Sequence, residues 1–138
     1  MNGYPEILIA GDFLERAEEF LRACRALPKR TPPDWPRYFM ACHAVELALK
    51  AFLAARGRSV DELAKGFGHD LKKLLDEAMS EGLTIGVLAR GELEQLNEAH
   101  TRFWHRYPKF DSKPVFIIDQ FEVYIDELFR HVAQVVRP

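Results

Sequence analysis

DWPRYFMACHAVELALKAFLAARG, residues 34–57, decides the fold. Asp34 offers the short carboxylate of an N-cap, and Pro36 falls in the first turn, where its missing N–H breaks no helical bond. Gly57 stands where helices commonly end in a left-handed residue. Between these signals Tyr38, Cys42, Val45, Leu49 and Phe52 recur at three- and four-residue steps. Alanines at 41, 44, 48, 51, 54 and 55 widen that stripe and allow a second helix to approach closely. The spacing predicts one helix from Asp34 to Arg56.

Outward from this helix, proline and glycine punctuate the chain into further helical segments, and no stretch alternates at period two. A first helix is predicted over 7–27, with Ala10, Phe13, Leu14, Ala17, Phe20, Leu21, Cys24 and Leu27 on one face and prolines at 28, 32 and 33 beyond it. Ser59 and Glu62 have capping-box spacing and open a short helix to Lys65. The third long helix covers 70–80, with Leu71, Leu74, Leu75 and Ala78 inward and the pairs Lys72–Asp76 and Lys73–Glu77 on its wet side. A fourth is predicted over 91–106, its stripe Leu93, Leu96, His100, Phe103 and Tyr107, with Pro108 after it. The fifth covers 118–136. Its apolar surface includes Val123, Phe129 and Val136 beyond the main stripe, wider than one bundle face needs, which points to a homodimer seam. Short connections favour antiparallel neighbours. The expected fold is therefore all-α, an up-down bundle of four to five helices with one short extra helix, in a single domain over 1–138. In strict alternation the second and fourth long helices point the same way, bringing His43 and His100 to similar heights and Arg56, Arg58, Lys65 and His69 to the end where the fourth helix finishes.

Composition bounds the function classes. Of 138 residues, 48% are apolar and 29% charged, a globular balance. A net charge of −2 from 19 basic and 21 acidic residues excludes a strongly basic nucleic-acid coat but leaves room for a local basic patch. Uninterrupted apolar runs are short, so no membrane span is expected, and the N-terminus lacks the basic start of a secretory signal. Two cysteines, Cys24 and Cys42, in a chain able to build its own core point to free thiols and a cytoplasmic setting.

Three constellations carry candidate chemistry. His43, Glu46 and Lys50 lie at i, i+3 and i+7 on the helix of 34–56, where an imidazole, an orienting carboxylate and an ammonium suit proton transfer or anion holding. His100 lies on the core stripe of the fourth long helix, where a satisfied core histidine is the commoner role. The end of that helix, Arg102, His105, Arg106, Lys109 and Lys113, is interleaved with Phe103, Trp104, Tyr107 and Phe110. Cations among aromatics suit phosphate contacts and base stacking, and equally suit a helix C-terminus. No metal site is expected: Cys24 and Cys42 are isolated, and His100 and His105 diverge by about 140° around a helix. No cofactor is expected, since Gly66-Phe67-Gly68 lacks the lysine and serine of a phosphate loop.

The run Ala41-Cys42-His43-Ala44-Val45-Glu46-Leu47-Ala48-Leu49-Lys50-Ala51-Phe52-Leu53, then Gly68-His69-Asp70-Leu71-Lys72-Lys73-Leu74, then Arg106-Tyr107-Pro108 before a long C-terminal helix, resembles HEPN-domain proteins over nearly the whole chain. The resemblance implies an all-α bundle that usually dimerises. It further implies one of three roles: a metal-independent ribonuclease of toxin or antiviral type, a non-catalytic partner of a nucleotidyltransferase, or a module binding RNA or nucleotide. Catalytic members carry an arginine, usually a polar residue, and then a histidine after four to six intervening residues, late in the bundle. In this chain Arg102 and His105 have two residues between them, and no histidine follows Arg106 until His131. The only match by count is Arg37 to His43, early in the bundle, with Tyr38 at the usually polar position. The expectation is a non-catalytic binding or accessory module for RNA, nucleotide or a partner protein. Its binding residues would be His43, Glu46, Lys50, His69, Arg102, His105, Arg106 and Tyr107. The alternative is a ribonuclease with a displaced site at Arg37 and His43, joined by His100.

Overall fold

The computed structural model describes residues 6–31, 34–101 and 118–138, without the side chains of 6, 7 and 98–101. The elements are α1 (Glu6–Ala26), α2 (Trp35–Ala55), α3 (Val60–Glu62), which continues as a wide π-helical turn over Leu63–Phe67, α4 (Leu71–Ser80), α5 (Val87–Thr101) and α6 (Glu122–Val136), which follows a 3-10 turn over Ile118–Gln120. Among the described residues there is no strand, and the all-α class expected from periodicity holds.

Local chemistry sets the helix ends. The Asp34 carboxylate accepts from the backbone N–H of Arg37 at 3.3 Å, and Asp70 does the same for Lys73 at 3.1 Å. Ser59 and Glu62 form the full capping box, at 3.1 and 3.3 Å. Ser59→Ala is expected to cost about 1 kcal/mol in chemical denaturation; no change would mean that neighbouring packing alone holds the turn. At the other end of α2, Gly57 has φ +98°, and Arg58 N–H donates back to the Leu53 carbonyl at 3.0 Å.

α2 is the centre of the bundle. Every residue from Ala44 to Ala54 is buried, because α1, α4, α5 and α6 all pack on it. By length and composition α2 could cross a membrane: mean hydropathy over its best window is 1.4, although it carries Arg37, Glu46 and Lys50. In this fold 67% of that window is covered by protein, the environment of a core helix. The apolar-run test missed this because the three charges interrupt each run.

Alternation holds at every step but one. α1 runs against α2 and α6: Phe20 meets His43, Arg25 pairs with Glu122 and Asp126, and Glu18 pairs with Arg137. α4 runs against α5, as Asp70 bonds Asn97 while Asp76 pairs with Arg90. α2 and α4, however, are parallel: Glu46 meets His69 ahead of α4, and Arg58 beyond α2 meets Glu77 and Glu81 at the end of α4. Residues 59–69 descend alongside α2 and act as a crossover, which the assumption of tight antiparallel connections does not allow. α5 therefore opposes α2, and the expected shared direction of the second and fourth long helices is corrected. The Tyr38 hydroxyl donates to the Leu96 carbonyl, so the end of α5 lies by the start of α2, away from Arg56 and Arg58.

Three smaller corrections follow. α5 begins at Val87, a turn before the expected 91, because Ala89 extends the stripe of Leu93 and Leu96 and all three are buried. Gly91 costs such a helix only about 1 kcal/mol relative to alanine. On α6, Phe129 and Val136 are buried within this chain, and only Val123 of the three side positions stays exposed. Of the positions read as a dimer seam, Phe129 and Val136 therefore pack within the chain, while Val123 remains on the outer face of α6. Lys72 pairs with Asp76 at 2.8 Å as expected, whereas Glu77 turns to Arg58.

Candidate functional site

The described candidates separate into a buried ionic knot, an aromatic-sheathed histidine and an arginine latch. In the knot, the Glu46 carboxylate is 2% exposed. Lys50 Nζ lies 3.1 Å from Oε2, one helical turn on. His69 Nδ1 lies 3.0 Å from Oε1 and 3.2 Å from Oε2. His69 arrives from the π turn, where Gly68, with φ +55°, reverses the chain before the Asp70 cap. Asn97 of α5 closes the corner by accepting from Leu71 N–H at 2.7 Å and donating to Asp70 at 3.2 Å. The imidazole is 55% exposed, so a buried carboxylate fixes the orientation of a ring that solvent reaches.

His43 does not join this knot. Its ring meets Phe20 of α1 edge-on at 4.4 Å and stacks on Phe39 at 5.9 Å with 4° between the planes. The expected shared face of His43, Glu46 and Lys50 is divided, because α2 is covered from several sides and neighbouring positions face different helices.

Arg37 is a latch. Its guanidinium is 6% exposed, donates to Asp119 at 2.8 Å and lies 3.9 Å from Asp34, while Nε is buried with no hydrogen-bond partner among the described residues. Lys29 reaches Asp119 at 3.1 Å. The hydrogen bond from Arg37, then that from Lys29, holds the Asp119 carboxyl below the usual carboxylate range. The contribution is present above the unfolded-state value of about 4 and is lost as pH falls through the folded value. Asp119→Asn is accordingly expected to flatten the stability decline below about pH 4 in acid titrations of the denaturation midpoint. An unchanged slope would exclude this pair as a source of acid lability. Of the two residues expected to form a displaced catalytic pair, Arg37 thus meets Asp34 and Asp119, and His43 meets Phe20 and Phe39.

The basic patch expected at the fourth long helix is also revised. Arg58 is enclosed by Glu62, Glu77 and Glu81, and Arg56 lies 5.2 Å over the Phe52 ring. Both lie at the far end from Thr101, for the directional reason given above. Arg102, His105, Arg106, Tyr107 and the neighbouring cations and aromatics fall outside the described residues, as does the side chain of His100. Cys24 and Cys42 are free and buried, and burial pushes both thiols up, the opposite of an activated nucleophile. Among the described residues no three His, Cys, Asp or Glu side chains gather as a metal site.

The participation of His69 was legible only in part. Gly68-His69-Asp70 announces a helix start, but no local signal ties it to a glutamate 23 residues earlier. The tie depends on the crossover path of 59–69.

An all-α bundle around a central alanine-rich helix, pinned by Glu46, Lys50 and the histidine that precedes the next core helix, defines the class. Residues 10–137 match the family model described as HEPN domain, and the chain belongs to that family. No curated protein and no solved structure matches it.

Proposed function

We propose that this protein is a non-catalytic HEPN-type binding module acting on RNA as a cytoplasmic homodimer. The observation that carries the reading is the engagement of the two candidate catalytic groups elsewhere. Arg37 is buried against Asp119 and Asp34, and the His43 ring packs between Phe20 and Phe39. His69, the solvent-reached member of the Glu46–Lys50–His69 knot, is the described part of the proposed binding surface. Asn97, one turn before the end of α5, abuts it through Asp70 and Leu71, and the cation-and-aromatic stretch from Arg102 follows in sequence. That stretch favours RNA over a free nucleotide or a protein partner of nucleotidyltransferase type, because it combines phosphate-pairing cations with stacking surfaces.

A second reading, metal-independent ribonuclease, is favoured by one feature, the orientation of a solvent-reached His69 by a buried carboxylate. Titration of a labelled single-stranded RNA, with a parallel cleavage assay in EDTA, separates the two. The module reading expects saturable binding that weakens as salt rises, no cleavage, and binding weakened about three- to tenfold by His69→Ala. Cleavage that disappears in His69→Gln or His43→Gln would replace it with the ribonuclease.

A further inference from the structure

On the other flank of α2 a half-open groove of about 350 Å³ lies between the first half of α1, Leu47 of α2 and Val60 of α3. This is within the size range of small-molecule sites. Its apolar lining is Leu8, Ile9, Phe13, Leu47 and Val60. Leu8 is 54% and Val60 43% exposed, so two walls are apolar surfaces left facing solvent. Among the described residues the polar lining is Asp12 and Arg16, one helical turn apart on α1.

The two charges are the informative feature. Asp at i and Arg at i+4 is a spacing that pairs readily on a helix surface. At the same spacing Glu46–Lys50, Arg58–Glu62, Lys72–Asp76 and Arg90–Glu94 pair, whereas Lys73–Glu77, Glu18–Arg22 and Asp126–Arg130 do not because Arg58, Arg137 and Arg25 take those carboxylates; Asp61 and Lys65 also stay apart. Asp12 and Arg16 form no ion pair or hydrogen bond among the described residues. The groove therefore presents an open anion and an open cation at the edge of an apolar slot.

We propose that this groove binds a small zwitterion with a large apolar arm, the chemistry of a free α-amino acid such as leucine or phenylalanine. Its carboxylate pairs with the Arg16 guanidinium in the forked geometry arginine favours. Its ammonium pairs with the Asp12 carboxylate. Its side chain enters between Phe13, Leu47 and Val60, covering apolar area now in water. A simple fatty acid fits less well, because its single charge leaves Asp12 beside the bound carboxylate. The site is separate from the Glu46–His69 knot and does not depend on the RNA reading.

Calorimetric titration of the full chain with L-phenylalanine tests this, with 3-phenylpropanoic acid, 2-phenylethylamine and glycine as partial ligands. One saturable site for phenylalanine is expected, about tenfold weaker for each single-charge analogue, and no heat from glycine. Arg16→Ala and Asp12→Ala, both at exposed positions, are each expected to weaken binding about tenfold while leaving the unliganded melting temperature unchanged. Absence of saturable heat at millimolar phenylalanine overturns the proposal. So does equal binding of 3-phenylpropanoic acid, or undiminished binding in both variants.

Discussion

Lys50→Leu is expected to lower folding stability by about 3 kcal/mol, and adding Glu46→Leu to restore most of the loss. The Lys50 side chain is 10% exposed and lies 3.1 Å from a carboxylate that is 2% exposed. Taking away the ammonium alone leaves the carboxylate buried without its nearest cation. Removing one member of a buried ion pair is costly for that reason, whereas replacing both with apolar groups of similar size is often neutral. His69 is 55% exposed and so provides a weaker, partly screened anchor than Lys50. Urea denaturation of the two single variants and the double variant gives the coupling directly. A loss below about 1 kcal/mol for Lys50→Leu would show that the carboxylate does not depend on the ammonium. The same series bears on function. If the knot serves RNA binding through His69, Lys50→Leu weakens binding even at temperatures where the variant is fully folded.

Arg37→Met should cost about 2–3 kcal/mol without altering any activity on RNA. The substitution keeps an unbranched apolar stem and removes the guanidinium. It strips from Asp34, which is 4% exposed, its one ion-pair partner among the described residues, and cuts the link from the start of α2 to Asp119 ahead of α6. Two things moderate the loss. Asp34 still accepts backbone N–H groups of Arg37 at 3.3 Å and Arg30 at 3.2 Å. The variant also eliminates the buried Nε that has no hydrogen-bond partner among the described residues, a defect worth about 1–3 kcal/mol by itself. Asp119→Ala should cost less, since its carboxylate is 45% exposed and its pairs are accordingly screened. A variant that stays as stable as the parent yet loses RNA binding would reverse the assignment and make Arg37 a functional group.

Much of this architecture is local chemistry. The caps at Asp34, Ser59 and Asp70, the left-handed glycines at 57 and 68, and the buried faces of α1, α2 and α4 follow from residues within one or two turns of each other. The beginning of α5 is legible less well, because the exposed Gly91 reads as a start signal when it is an interior residue of a helix held by Ala89, Leu93 and Leu96. The candidate site divides in the same way. Glu46 and Lys50 are neighbours on one helix face by spacing alone, and they pair. His43 has the same spacing credentials and turns to Phe20 and Phe39 instead. On a helix covered from several sides, sharing a broad face does not mean sharing a partner.

By itself the sequence determined an all-α chain, the extent of its central helix, the chemistry of the helix ends and membership in a recognisable family, since each depends on periodicity and on contacts a few residues long. The tertiary structure alone decided that α2 and α4 run parallel, that α5 opposes α2, that His69 rather than His43 meets Glu46, and that Arg37 closes on Asp119. Those outcomes depend on the path of a crossover and on contacts 23 and 82 residues apart. Helical periodicity records which side of a helix is buried, but carries no information about which distant element buries it.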